Sequence, residues 1–287
     1  MQLTEKQEKT KKVLSGIHNL PTVANVMLET TKLLEDASTS TTKLAKIIGR
    51  DQGLATKLLA IANSPIYGIP RKVATIDFAI LVLGYQEIKN IIIGLSIMET
   101  FKNMNDANLN YKNLWMHSYL VGSLARRLAL DLQLKISGEA FISGLLHDLA
   151  IAVIHKYFHS AFLKIIEQNK ENGTPFIESE REALGYTHED IAYFLIERWN
   201  LPANICNVVL NHHEPSKIDG KPELGTLVHI ADTYIHNWGY GDSFWDNNMS
   251  FDNSVFHHLN FQNIEELNSF MNKYKTIIDS ESIQIKF

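Results

Sequence analysis

Trp115-Met116-His117-Ser118-Tyr119-Leu120, continued by Val121, Leu124 and Leu128, decides the fold class. Its apolar residues recur every three or four positions, which places them on one face of an α-helix. The same spacing returns along most of the chain in both directions, and strand signals are nearly absent, so the expected fold is all-α.

The helix boundaries are legible in several places. Asn19-Leu20-Pro21 and Asn200-Leu201-Pro202 each put a proline where the first helical turn lacks an N–H partner anyway. The segments that follow them look alike, but not for long enough to make a repeat. Thr187-His188-Glu189-Asp190 reads as an N-cap with an acidic first turn, which puts His188 at a helix mouth. A helix from about Ala203 to His213 should stop before Pro215 and leave His212 and His213 at its exposed end. The polar, asparagine-rich run from Lys102 to Lys112 divides an N-terminal helical lobe, 1–105, from a C-terminal one, 106–287. Asn237 to Asn253 mixes glycine, asparagine, aspartate and aromatics and reads as a loop over the C-terminal lobe.

With 287 residues, 45% hydrophobic and 21% charged, the chain can bury a sizeable core. A net charge of -5 argues against a surface built to coat nucleic acid or anionic membrane. A narrower nucleic-acid reading exists for Thr42 to Asn63, where LAKIIGRDQGLATKLL can be taken as two helices around Gly53. The second of these, Leu54 to Ala62, is too apolar to face a groove. In that lobe Asn63-Ser64-Pro65 should end a helix, and Ile76, Ala79, Ile80 and Leu83 should face the core. The single cysteine, Cys206, lies in an apolar run and reads as a small buried side chain. The start, MQLTEKQEKTKK, is polar and is not followed by an apolar segment long enough for a signal peptide, and the apolar stretch Ile91 to Met98 is too short to cross a bilayer. A cytoplasmic location is expected.

Chemistry concentrates in His117, His147-Asp148, His188, His212-His213 and Asp232. Imidazoles and carboxylates together suit manganese, iron(II), zinc or magnesium, ions that can activate water against a phosphate ester. His147 and Asp148 sit about 100° apart around a helix, so both reach one ion only if it lies near the helix edge between them. Asp232, in Val228-His229-Ile230-Ala231-Asp232-Thr233-Tyr234, has apolar neighbours that make an unpaired buried carboxylate costly. His257-His258 stands outside the set and reads as surface.

The N-terminal residues Leu20-Pro21, Leu44 to Asp51, Leu54, Leu58-Leu59, Asn63-Ser64, Tyr67, Ile76, Ala79-Ile80 and Leu83-Gly84 resemble the opening half of the HDOD (HD-related output domain) family of bacterial signalling proteins. Gly144-Leu145-Leu146-His147-Asp148 resembles the family's HD segment, and Trp199 to Pro202 followed by His212-His213 its later motif. The resemblance covers most of residues 15 to 275 and implies a two-lobed helical fold like that of HD domains. It also implies a first metal site from His117, His147, Asp148 and Asp232, with His188, His212 and His213 contributing to a second.

The wider HD superfamily consists of metal-dependent phosphohydrolases, and its HD-GYP branch hydrolyses a cyclic dinucleotide. HDOD members are related proteins used for signalling and protein contacts. Here Ile151 stands where HD-GYP enzymes carry a lysine three residues beyond the aspartate. His212-His213-Glu214-Pro215, followed by Asp219-Gly220-Lys221-Pro222, resembles an eroded GYP signature without its glycine-tyrosine pair. The resemblance therefore implies a non-catalytic signal transduction protein with a residual HD-type metal site, acting through a signalling partner or a nucleotide ligand. A metal-dependent phosphohydrolase is the alternative.

Overall fold

The computed structural model describes residues 3–17, 40–100 and 106–284. All regular structure among them is helical, as the spacing required. The helix start at Leu20-Pro21 and residues 101–105 of the asparagine-rich run lie outside the described residues.

The chain forms two compact units that differ from two consecutive lobes at both ends. Met1–His18 joins Asn103–Lys273, whereas Tyr274–Phe287 joins Asn19–Lys102. In the larger unit the opening helix, α1 (Glu5–Ser15), is tied down because Thr10 donates its hydroxyl proton to the Leu184 carbonyl at 2.8 Å. In the smaller unit, buried Glu281 accepts the Ile66 backbone N–H at 3.2 Å. Both pairings span well over a hundred residues, so no local pattern announces them.

The smaller unit is an apolar helical core. In α2 (Thr41–Ile48), Leu44, Ala45, Ile47 and Ile48 are buried. Asp51 then caps α3 (Gln52–Ala62) by accepting the Leu54 N–H at 3.0 Å. Gly53 therefore lies inside α3 and not between two helices. Leu54, Leu58, Ile61 and Ala62 all face the core, which removes the apolar face of α3 from any groove-reading role. Asn63 ends α3 as expected, and its amide exchanges two hydrogen bonds with the Val73 backbone at 2.7 and 2.8 Å. Along α4 (Ile76–Leu83), Ala79 and Ile80 are buried while Ile76 and Leu83 are half-buried. Helix α5 (Tyr85–Thr100) follows, with Ile88, Ile91, Ile92 and Leu95 in the core.

In the larger unit the pair that matters is α6 (Tyr111–Asp131) and α7 (Ser137–Leu146). A Cβ on Gly144 would lie 2.6 Å from the Gly122 Cα, so only glycines allow the two backbones this close. This approach carries His117 on α6 toward His147 and Asp148, which follow α7. Helix α8 (Leu149–Tyr157) continues beyond them. Ser137–Tyr157 is long and apolar enough to cross a membrane by composition, but 83% of its most apolar window is buried inside this unit. Helices α12 (Ala203–Leu210) and α13 (Glu223–Asn237) pack against this pair, α11 (His188–Arg198) against α8 and α12, α9 (His159–Asn172) against α8, and α10 (Phe176–Leu184) against α9. The short α14 (Ser254–His258) and α15 (Ile264–Gln284) follow, and α15 runs on into the smaller unit.

Candidate metal centre

All seven sequence-nominated residues converge in the larger unit, and none is more than 4% exposed. His117 sits within α6, and Asp232 within α13. His147 and Asp148 occupy the break between α7 and α8. Asp148 stands at the N-cap position of α8, yet its side chain caps nothing and points into the cluster instead. His188 opens α11 behind the Thr187–Asp190 capping box, as its sequence indicated.

His212 and His213 correct the sequence reading. Helix α12 ends at Leu210, and the two histidines follow it fully covered, 0% and 3% exposed. Their turn is held from below by His229, which donates Nδ1–H to the His212 carbonyl at 2.9 Å and accepts the Asp252 N–H at 3.0 Å. A helix end is ordinarily open to solvent. This one is roofed by residues far along the chain.

The expected two groups of ligands share Asp148. Its Oδ2 lies 3.0 Å from His147 Nε2 and 3.7 Å from His117 Nε2, while its Oδ1 lies 3.7 Å from His212 Nε2 and 3.8 Å from His188 Nε2. On the first side Asp232 Oδ1 completes the set, 3.0 Å from His117 Nε2 and 3.5 Å from His147 Nε2. On the second side His188 Nε2 and His213 Nε2 approach to 3.1 Å. One carboxylate thus faces both ligand groups, an oxygen to each.

Backbone acceptors fix the imidazoles in the tautomer that a metal site needs. His147 donates Nδ1–H to the Gly144 carbonyl at 2.6 Å, and His212 donates its Nδ1–H to the Val209 carbonyl at 2.8 Å. Both Nε2 atoms therefore turn inward, and neither has a hydrogen-bond partner there. His188 is held by Glu180, whose Oε2 accepts both its backbone N–H and its ring Nδ1–H at 2.8 Å.

Two residues that the sequence reading passed over enter from the irregular stretch after α13. Trp245 donates its indole N–H to Asp148 Oδ2 at 2.7 Å. Asp246 places Oδ1 3.5 Å from His213 Nε2, is 7% exposed, and has no hydrogen bond at either oxygen. The segment is seated by Gly241, at φ 77°, where a Cβ would lie 2.5 Å from the His117 backbone nitrogen. What reads as a covering loop therefore inserts a turn, Phe244–Asp246, into the cluster.

The electrostatics are those of a site short of positive charge. Burial pushes the Asp246 carboxyl well above the usual range, reinforced by Asp232 and Asp148. Burial works in the same direction on Asp148 and Asp232, but the surrounding imidazoles, His147 foremost, together outweigh it and hold both below the usual carboxylate range. For His147 itself burial disfavours the cation, and Asp148 and Asp232 reverse the balance and raise it. His188 is likewise opposed by burial but pushed up to about 9 by Glu180. Burial and the neighbouring His147 push His212 down to about 3.

The residues present fit divalent metal. Asp148 Oδ1, both oxygens of Asp246, and the Nε2 atoms of His147 and His212 are buried without hydrogen bonds, an arrangement costly in a protein interior unless a cation completes it. Compact sets within 4.8 Å include His117, His147 and Asp148; His147, His212 and Asp232; His117, Asp232 and Asp246; and His188, His212 and His213. Mixed imidazole and carboxylate donors suit iron, manganese, zinc or magnesium and do not choose among them. Ile151, in place of the lysine, is fully buried within α8. His257 is exposed and His258 half-buried against Thr226, so that pair stays outside the cluster, and Cys206 is buried.

Comparison with known proteins identifies the family of this helical chain. The HDOD domain family profile matches residues 20–215, and the chain belongs to that family. An HDOD domain protein of unknown function from Geobacter sulfurreducens superposes with a TM-score of 0.76 at 23% identity, covering 98% of this chain and 99% of that one. A candidate phosphohydrolase from Shewanella amazonensis SB2B gives 0.74 at 18% identity, covering 96% and 98%. In sequence, an uncharacterized protein of Treponema pallidum (strain Nichols) is 24% identical over 224 residues. That match takes in 75% of this chain and 42% of the relative, so the chain matches less than half the length of that curated protein.

Proposed function

We propose that this chain is a bacterial, cytoplasmic HDOD signal transduction module whose HD-type cluster holds divalent ions as an internal brace. It works by binding a signalling partner or a nucleotide ligand, without enzyme-like turnover. The observation that carries this reading is the enclosure of the cluster. Every donor is at most 7% exposed, and Trp245 spends its only N–H on the shared aspartate. Phosphodiester chemistry also needs cationic groups placed on the developing charge. The cluster's own cationic groups are imidazoles already facing carboxylates, and Ile151 offers nothing.

A second reading, an HD-type phosphohydrolase, is favoured by the completeness of the ligand set and by Asp246, which adds a carboxylate with two unengaged oxygens. Cyclic dinucleotides incubated with the chain and manganese, iron(II) or magnesium separate the two. The module reading expects metal retention with no turnover above background. Robust wild-type turnover abolished by His147→Ala or Asp148→Ala would replace it with the phosphohydrolase reading.

A further inference from the structure

Outside the buried cluster, Asp106, His155 and His159 bring Asp106 Oδ2, His155 Nε2 and a His159 ring nitrogen within 4.8 Å of one another. Asp106 Oδ2 lies 2.9 Å from His155 Nε2 and 3.7 Å from His159 Nε2. The side chains are 30%, 6% and 47% exposed respectively, so the group opens to solvent.

What distinguishes this triad from a chance surface cluster is that each inner ligand is held from behind. Asp106 Oδ1 accepts the backbone N–H groups of Asn108 at 2.7 Å and Leu109 at 3.0 Å, which fixes the carboxylate and leaves Oδ2 for the imidazoles. The Tyr111 hydroxyl lies 2.9 Å from His155 Nδ1 and 3.2 Å from the Ala152 carbonyl, which holds the imidazole from behind and turns its Nε2 toward Asp106. His155 Nε2 in turn meets Asp106 Oδ2 at 2.9 Å. A third donor beside them is the arrangement of a metal site, with Tyr111 as the outer partner that orients a ligating histidine.

We propose that Asp106, His155 and His159 form a second, solvent-facing site for a borderline divalent transition metal, with zinc as the representative ion. Two imidazoles and one carboxylate supply three ligands. The fourth position faces solvent, open to water or to a donor from another molecule.

The test is zinc binding by the full chain under a competing chelator of known affinity, for wild type, His159→Ala, Asp106→Asn and Asp148→Ala. Cobalt(II) absorption provides an independent signature of imidazole ligation. Neither His159 nor Asp106 is in the interior core, so both variants should fold. The expected result is that each of these two loses one zinc equivalent, or binds it at least roughly tenfold more weakly, while Asp148→Ala retains that equivalent. Wild-type stoichiometry and affinity in either His159→Ala or Asp106→Asn would overturn the proposal. So would loss of this equivalent in Asp148→Ala, which would assign the ion to the buried cluster.

Discussion

The two compact units are built from the same kind of helix but filled differently. The smaller unit closes around Leu44, Ile48, Leu58, Ile66 and Ile80, each at most 1% exposed. The larger unit has an apolar core as well, but within it also buries five histidines and three aspartates in one cluster. Apolar filling stabilises wherever it is placed, whereas each buried ionisable group costs free energy unless something compensates it. Imidazoles set against carboxylates compensate part of that cost, Asp148 is where the two groups meet, and the atoms left without partners call for a cation. The smaller unit is held by packing, and the larger one is organised around a site.

This contrast can be broken most directly at Asp148. Asp148→Ala removes the carboxylate that faces four imidazoles, and we expect loss of bound metal together with destabilisation of about 3–5 kcal/mol relative to the metal-loaded protein. Metal content and thermal unfolding measured on one preparation check both parts. If metal is retained at wild-type level, the bridging position is wrong.

Leu58→Ala in α3 is the matching experiment in the other unit. Truncating a leucine with no exposed surface should cost about 2–5 kcal/mol, with metal content unchanged. Loss of metal in this variant would show that the apolar unit and the cluster are not separable in function.

Trp245→Phe keeps most of the ring and deletes the N–H that Asp148 accepts. The expected cost is about 1–3 kcal/mol for the unpaired buried oxygen, and metal affinity should fall by roughly 10- to 100-fold. Denaturant midpoints and a chelator competition report the two quantities separately. An unchanged affinity would mean that the tryptophan only packs.

The smallest effect is expected at Asp252, beside the cluster's outer support. Burial acts to raise its carboxyl, but the hydrogen bonds from Ser216 and Ser254 together prevail and hold it down at about 2. A folded-state value below the unfolded one gives stability that is present above about pH 4 and lost as pH falls through about 2. Because the group is largely solvated, Asp252→Asn should remove at most about 1 kcal/mol, visible as a shallower acid-unfolding curve. Equal acid sensitivity in variant and wild type would discard the assignment.

Much of this was legible in the sequence because local chemistry and local structure agree. The three- and four-residue spacing gave the helices, Thr187 announced the start of α11, and the ordered histidines and aspartates named seven members of the cluster. Other parts depend on distant partners. Gly53 reads as a turn residue until Asp51 is seen capping α3 ahead of it. His212 and His213 read as an exposed end because Pro215 stops the helix, and nothing nearby says that His229 and the Phe244–Asp246 turn cover them. Asp246 sits in a segment with no periodicity, so only its placement reveals it. The exchange of chain ends between the two units has the same cause, since α1 finds Leu184 and Glu281 finds Ile66 across most of the sequence.

The most direct test of the central claim is elemental analysis of the full chain, purified without a chelating-tag step, on wild type and Asp148→Ala in parallel. His159→Ala is included to set aside any ion at the outer triad. The expected result is a divalent transition metal retained by wild type and His159→Ala but absent from the buried site of Asp148→Ala, with a higher unfolding temperature in the loaded proteins. Wild-type protein that carries no metal, and whose unfolding temperature does not rise when manganese, iron(II) or zinc is added, would contradict it.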